Sequence, residues 1–229
     1  MRLFWWNAVP NLGDRLTLSL LLGYGFEAQW APPEQADWVG IGSVLGWFDG
    51  FTGTVWGSGR GGSDLPPPDL TKAKVLALRG QETRSLVKGG QDAVLGDPAL
   101  LISDFIQPER GIYTALVPHH KDQERQRALY PDATFVDVTG PVDEAIATIA
   151  GAERVISSSL HGLVIADAFG IPRKWELFEG DLGGGFFKFL DYGSVMGRRD
   201  PGQWYTPTAP LVDAVRSDLR GCLAEQVAA

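Results

Sequence analysis

The stretch Arg154 to Pro172, RVISSSLHGLVIADAFGIP, constrains the fold more than any other, because it sets a buried strand, a polar turn and an apolar helix end to end. Val155 and Ile156 read as the end of a strand. Leu163 to Phe169 is apolar on nearly every face, which predicts a helix buried inside an α/β layer. Gly170 and Pro172 stop it. A strand that hands Ser157, Ser158 and Ser159 to a helix N-terminus gathers hydroxyls, free backbone N–H groups and the positive end of the helix dipole at one spot, and such a spot favours an anion. His161 falls on the first turn, where an imidazole can face the crevice outside the carboxyl edge of a parallel sheet. Serines before a helix also act as ordinary N-caps, and a histidine there also acts as a packing side chain, so the pattern alone marks a site without naming it.

The rest of the chain repeats the strand-then-helix theme. Arg2 to Trp6 reads as a strand, and Asn11-Leu12-Gly13-Asp14 turns it into an apolar helix, Leu16 to Leu22. Asn11 or Asp14 can cap that helix, and Gly13 lets backbone approach a ligand closely, so the turn is either a cap or a cleft wall. Asp37 to Leu45 and Thr54 to Trp56 read as strands. Gly57 to Gly62, GSGRGG, then matches G-x-G-x-x-G, yet Ser63 to Asp69 holds three prolines where a dinucleotide site needs a helix, so that cofactor reading fails on context. A flexible connection and a loop over a cleft both remain. Lys74 to Leu78 delivers Arg79-Gly80 to a helix start at Gln81. A cation there is not placed to favour the dipole, so a bound anion or a carboxylate partner accounts for it better. Ala93 to Leu95 leads into Gly96-Asp97-Pro98, a turn that Asp97 can cap.

Near Ser103 to Gly111 the strand-helix units pause and then resume, which divides the chain into residues 1–106 and 107–229. The second half continues with a strand at Ile112 to Val117, a polar helix at Asp122 to Tyr130, a further pair at Thr134 to Val138 and Val142 to Ala150, and the central stretch. A strand at Arg173 to Leu177, a glycine loop at Gly183 to Gly185 and an aromatic helix at Phe186 to Tyr192 follow. Leu211, Val215, Leu219, Cys222 and Leu223 keep helical spacing, so the chain ends in an amphipathic helix.

A formal net charge of −8 argues against a nucleic-acid partner, whose affinity would come from a basic face. The positive charge is local: Arg110, His119, His120, Lys121, Arg125 and Arg127 crowd one region. That run is either a field for a small anionic substrate or a solvated helix face. The longest apolar run, around Leu16 to Phe26, is too short and too interrupted to span a bilayer, and the N-terminus lacks the pattern of a signal peptide. A single cysteine, Cys222, permits no internal disulfide, and a cytoplasmic protein is expected. No His, Cys and carboxylate cluster has metal-ligand spacing.

Four segments together, NLGD at Asn11 to Asp14, ALRG at Ala77 to Gly80, LGDPALL at Leu95 to Leu101 and SSLHGLVIADAFGIP at Ser158 to Pro172, resemble the polysaccharide pyruvyl transferase family in order and approximate spacing. VPHHKD and FFKFLDY resemble the versions in bacterial exopolysaccharide members. The resemblance implies two Rossmann-like domains facing across a cleft, as in the GT-B glycosyltransferases, with parallel sheets. It also implies transfer of pyruvate from phosphoenolpyruvate onto a sugar of an exopolysaccharide or of its lipid-linked precursor, with no further cofactor. It leaves room for peripheral contact with membrane-bound polysaccharide machinery. Many members carry an arginine, expected to help hold the donor, where this chain has Ser159.

The residues match what such a reaction needs. Arg79 can grip a phosphate or carboxylate in a bidentate fork, and the Ser158, Ser159 and Leu160 turn can take the other anion. His161 is the candidate general acid, and His119, His120 and Lys121 can bind phosphate or move a second proton. Asn11, Asp14 and Asp97 complete the expected substrate-binding set. Two other classes use the same cleft: a GT-B glycosyltransferase with a nucleotide sugar, and a non-catalytic sugar-binding relative.

Overall fold

Two β-sheets, each fed by strand-to-helix units, meet along their carboxyl edges in the computed structural model, which describes residues 1–178, 185–197 and 200–227. The first sheet is parallel throughout: β1 (Arg2–Phe4), β2 (Gln29–Trp30), β3 (Trp38–Val39), β4 (Thr54–Ser58), β5 (Lys74–Leu78) and β6 (Val94–Leu95) in the order β2-β1-β3-β4-β5-β6. The second contains β7 (Thr114–Val117), β8 (Thr134–Phe135), β9 (Arg154–Ser157), β10 (Arg173–Trp175) and β11 (Trp204–Tyr205) in the order β11-β10-β9-β7-β8, and only β11 runs antiparallel. The chain is therefore an α/β protein built on parallel sheets. Among the described residues no helix is long and apolar enough to cross a membrane.

Helices start where the sequence offers caps. Helix α1 (Leu12–Gly23) begins at the NLGD turn rather than at Leu16, because the Asn11 side chain accepts a hydrogen bond from the Gly13 N–H at 3.2 Å. Helix α2 spans Gln81–Ser85. Asp97 caps a 3₁₀ segment, Pro98–Asp104, through the Ala99 N–H at 3.0 Å. The expected strand Asp37 to Leu45 ends early, at Val39, because Gly42 takes φ 134° and turns the backbone away from the ladder.

In the second half α3 (Gln123–Leu129), α4 (Val142–Gly151), α5 (Leu160–Ala168) and α6 (Phe187–Met196) follow their strands, and every residue of α5 is buried, as an all-apolar helix requires. Gly183 and Gly184 of the glycine loop lie outside the described residues. The final helix, α7 (Ala209–Val227), packs on β5, β6 and the Pro98–Asp104 segment of the first half. Arg216 and Arg220 of α7 both donate to Asp104, Arg220 Nε at 2.7 Å, and Tyr24 of α1 donates to the same carboxylate at 2.7 Å.

One apolar core runs through both halves, from Leu3, Leu16 and Leu100 to Leu163, Ile165 and Trp175. A smaller one, with Phe4, Val39, Val55 and Leu78, covers another part of the first sheet. The halves also meet through backbone, the Leu12 N–H donating to the Val138 carbonyl at 2.7 Å.

Candidate active site

The carboxyl edges of both sheets open onto one cavity of about 770 Å³. Each sheet contributes at the point where its strand order reverses, β1 lying between β2 and β3, and β7 between β8 and β9. Connections leaving such neighbouring strands diverge and leave a crevice. Asn11 and Asp14 enter after β1, Gly42 to Val44 with Gly46 and Trp47 after β3, His119 to Lys121 after β7, and Ser159 to His161 after β9, while α6 adds Lys188.

His161 is 9% exposed, and its ring lies directly on the backbone of Gly13, where a Cβ would stand 1.8 Å from Nδ1. The glycine of NLGD is thus required by contact with the histidine of LHG. Nε2 of His161 lies 3.5 Å from Oδ2 of Asp97, whose other oxygen is held by the Ala99 N–H. Neither Nε2 nor Oδ2 has a hydrogen-bond partner among the described residues. A carboxylate fixed behind an imidazole orients the ring.

The serines divide their work. The Ser157 hydroxyl sits between the carbonyls of Val117 and Ser159, 2.7 Å from each, and accepts from the Ser159 N–H at 3.0 Å. It ties β9 to β7, and a Cβ on Gly162 would stand 2.3 Å from it, so the glycine of LHG is again a contact requirement. Ser158 is buried behind the wall and accepts from the His119 N–H at 3.0 Å. Only Ser159 faces the cavity, and as N-cap of α5 its side chain caps nothing. The first-turn N–H groups of α5 therefore present a partial positive charge beside His161.

His119 and His120 both line the cavity, their ring centroids 4.3 Å apart. Nδ1 of His119 accepts from the Lys121 N–H at 3.3 Å, which assigns the proton of the neutral ring to Nε2. Burial, with the charges of Lys188, His120 and Lys121, holds the His119 pKa down at about 3. Burial and the neighbouring Lys121 and Lys188 lower that of His120 as well. Both rings are neutral near pH 7. The other basic residues of that region point elsewhere: Arg127 stacks over Phe135 at 3.6 Å, and Arg110 donates to the Phe169 carbonyl at 2.7 Å.

Asp14 and Lys188 carry the largest consequences. Burial raises the Asp14 carboxyl to about 6, against the opposing pull of His161 and Lys188. Lys188, read from sequence only as part of an aromatic helix, keeps some of its side chain open to the cavity while protein atoms crowd its ammonium. Loss of solvent, reinforced by the charge of Arg79 and opposed by that of Asp14, lowers its pKa to about 8. Among the described residues no carboxylate lies within ion-pair distance of it.

Arg79 departs from expectation. It is 1% exposed and does not line the cavity. Its Nε donates to Asp191 of α6 at 2.9 Å, one terminal nitrogen donates to the Ser43 hydroxyl at 2.6 Å, and the other to the Arg60 carbonyl at 2.8 Å. The carboxylate partner, not a bound anion, accounts for this arginine, and its fork is fully used by protein groups. Ser43 does line the cavity, so Arg79 stands one hydroxyl behind the wall. Asp97 and Ser158 likewise sit behind the wall and act on His161 and His119. The glycine-rich loop forms cavity wall through Gly61 and Gly62. No helix follows it, in keeping with the rejection of a dinucleotide site.

Comparison with known proteins gives one family model and two relatives. A family model described as polysaccharide pyruvyl transferase matches residues 69–173. The succinoglycan biosynthesis protein ExoV of Rhizobium meliloti (strain 1021) is 30% identical over 211 residues, covering 85% of this chain and 64% of that protein. Over residues 69–173 the chain is similar to the polysaccharide pyruvyl transferase family. A second relative, the uncharacterized protein L143 of Acanthamoeba polyphaga mimivirus, is 31% identical over 139 residues, covering 52% of this chain and 47% of its own length. The chain thus spans about half to two thirds of these curated relatives, 47% and 64%. No solved structure matches it. The pyruvyl transferase match contains Arg79, Asp97, His119, His120 and Ser158 to His161, whereas Asn11, Asp14 and Lys188 lie outside it.

Proposed function

We propose that the chain transfers pyruvate from phosphoenolpyruvate to two hydroxyls of a sugar in an exopolysaccharide or its lipid-linked precursor, forming a ketal. One observation carries the reading: a buried ammonium, Lys188, without a carboxylate partner among the described residues, faces the same cavity as His161 and the uncapped start of α5. A donor bearing a phosphate and a carboxylate answers that concentration of positive potential. The family, and a relative named for succinoglycan biosynthesis, support it.

The reaction needs one proton delivered and two removed. His161, backed by Asp97, gives its proton to the methylene carbon, and the resulting oxocarbenium-like centre is trapped by the first hydroxyl. The C–O bond to phosphate then breaks and the second hydroxyl closes the ketal; of the two hydroxyl protons released, one replaces the proton that His161 gave and one leaves with the phosphate, so that phosphoenolpyruvate and a diol yield a ketal and inorganic phosphate. Asp14, titrating near 6, is the proton acceptor, since a base works best when its pKa approaches the working pH. Lys188, the α5 start and the Nε2–H of neutral His119 hold the donor's anionic groups. The reading extends to a GT-B-like pair of units, 1–106 and 107–229, with α7 returning to the first, and to a cytoplasmic site near membrane-bound polysaccharide machinery.

The test uses purified protein, phosphoenolpyruvate and a panel of synthetic or lipid-linked galactosides, glucosides and mannosides. Phosphate release and a ketal methyl signal in NMR should appear in equal amounts. Turnover of a nucleotide sugar with no phosphate released from phosphoenolpyruvate would replace this reading with glycosyl transfer.

A further inference from the structure

The wall of the cavity supplied by the first sheet differs in chemistry from the wall that carries Lys188 and the histidines. Trp6 follows β1, Trp47 lies in the turn after β3, and their rings stack with centroids 4.9 Å apart and planes 20° from parallel. They are nonetheless 39% and 52% exposed. A core-forming pair would be covered, whereas these two large apolar faces are held open where the chain meets the cavity.

Trp47 is also backed by the core. Buried Phe4 packs edge-on against Trp47, 5.9 Å away at 79°. Beside the pair, Asp64 and Leu65 enter the cavity on a strap fixed from behind by Arg60, which is 1% exposed. Its guanidinium donates to the carbonyls of Leu65, Pro66 and Leu86, the last at 2.9 Å. No cation from this half of the chain lines the cavity among the described residues.

We infer that Trp6, Trp47 and Asp64 form a subsite for a neutral pyranoside, the ring lying on the indole surface with a hydroxyl donated to the Asp64 carboxylate. An indole face is the negative end of a quadrupole, and the C–H face of a pyranose presents the weakly positive edge that complements it. The carboxylate repels a nucleotide diphosphate or an anionic lipid headgroup, which a wall with Lys or Arg would attract. Apolar face, hydroxyls and no charge together describe a sugar. Arg60 is a positioning residue for the strap. The inference rests on the sugar acceptor of the proposed function, and it adds where that acceptor lies and which face it presents.

The experiment measures binding without donor or turnover. Neutral methyl galactosides and glucosides, and tetrasaccharides of the same units, are titrated against the full chain by tryptophan fluorescence and saturation-transfer NMR. Saturation should reach the ring C–H protons, Trp47→Ala should weaken binding at least tenfold, and Trp47→Phe should retain most of it. Trp204→Ala, which removes an indole that is 44% exposed outside the cavity, should change nothing. Unfolding midpoints of all variants exclude loss of fold as the cause. Equal binding by wild type and Trp47→Ala overturns the subsite, as does binding of a nucleotide diphosphate or an anionic phosphatidylglycerol vesicle in place of any pyranoside. Sugar binding that depends on Trp47, without ketal formation from phosphoenolpyruvate, upholds the subsite and overturns the reaction instead. Ketal formation with an acceptor KM unmoved by Trp47→Ala does the reverse.

Discussion

Two buried charge clusters share helix α6 and obey opposite rules. In the second half, Arg173 donates to both oxygens of Asp167, at 2.9 and 3.0 Å, and the Tyr192 hydroxyl donates to the same carboxylate at 2.8 Å. Four residues earlier, Lys188 points into the cavity with no such match, and His161 and His120, which also line it, have ring nitrogens, Nε2 and Nδ1, without hydrogen-bond partners. In the first cluster protein supplies every partner, so desolvation is offset internally. In the second the partners are missing, and the cost is borne by the free protein until something binds. Unmatched polarity gathered in one cavity, a few residues from a fully matched lock, is what the proposed function assigns to substrate binding.

The contrast can be broken by substitution. His161→Gln should cut single-turnover rates by about a hundredfold to ten-thousandfold while donor binding persists, since an amide donates a hydrogen bond but does not deliver a proton. A rate near wild type would move the general acid to another group. Arg173→Met should act on stability instead, because it leaves Asp167 charged and buried; a loss of about 3–5 kcal/mol is expected by denaturant titration. Turnover per folded molecule should hardly change. If Arg173→Met lowered turnover without lowering stability, the two clusters would not be separable.

Asp14→Asn sharpens the comparison through pH. The folded-state pKa of Asp14 is raised by burial to about 6, above an unfolded value near 3.8. Its protonated form therefore supports the fold below about pH 4, and that support is lost as pH rises through about 6. Asparagine does not titrate, so wild type should lose about 3 kcal/mol relative to Asp14→Asn between those limits, and the difference should then stay flat. The acid limb of kcat/KM, near pH 6 in wild type, should vanish along with most of the activity.

Most of the fold was legible in the sequence because it rests on local pattern. The Arg154 to Pro172 strand-turn-helix, the parallel strands and the spacing of the terminal helix all follow from hydrophobic period and caps. Of the candidate site, the residues that line the cavity were legible where a turn or motif after a strand carried its own chemistry, at Asn11 and Asp14, at Ser159 to His161 and at His119 to Lys121. Arg79 misled because its carboxylate partner, Asp191, is 112 residues away in sequence, and nothing local distinguishes a latched arginine from a free one. Lys188 had a signal that went unused: a lone lysine inside FFKFL on an otherwise apolar helix either snorkels to solvent or faces a cavity. Gly13 could not be paired with His161, since contact across two sheets leaves no trace in spacing.

Lys188→Met is the smallest of these effects on stability and the most discriminating, because it should stabilise the protein while damaging it as an enzyme. The folded-state pKa of Lys188 is depressed to about 8 from 10.5. Its neutral form supports the fold above about pH 10.5, and that support is lost as pH falls through about 8; near neutrality the charged ammonium is therefore a net cost. Allowing for the solvent in the cavity, that cost is roughly 1–2 kcal/mol. Methionine fills similar volume without charge, so its unfolding midpoint at pH 7 should lie about 2–6 °C higher for a chain of this size. The advantage should vanish near pH 10.5. Phosphoenolpyruvate affinity should fall about tenfold to a hundredfold, the worth of one charge-assisted hydrogen bond. Saturating phosphoenolpyruvate should then narrow the gap in midpoint by stabilising wild type more than the variant. A variant that is less stable than wild type at pH 7, with unchanged donor affinity, would place Lys188 in the lock with Arg173 and leave the cavity without its unmatched cation.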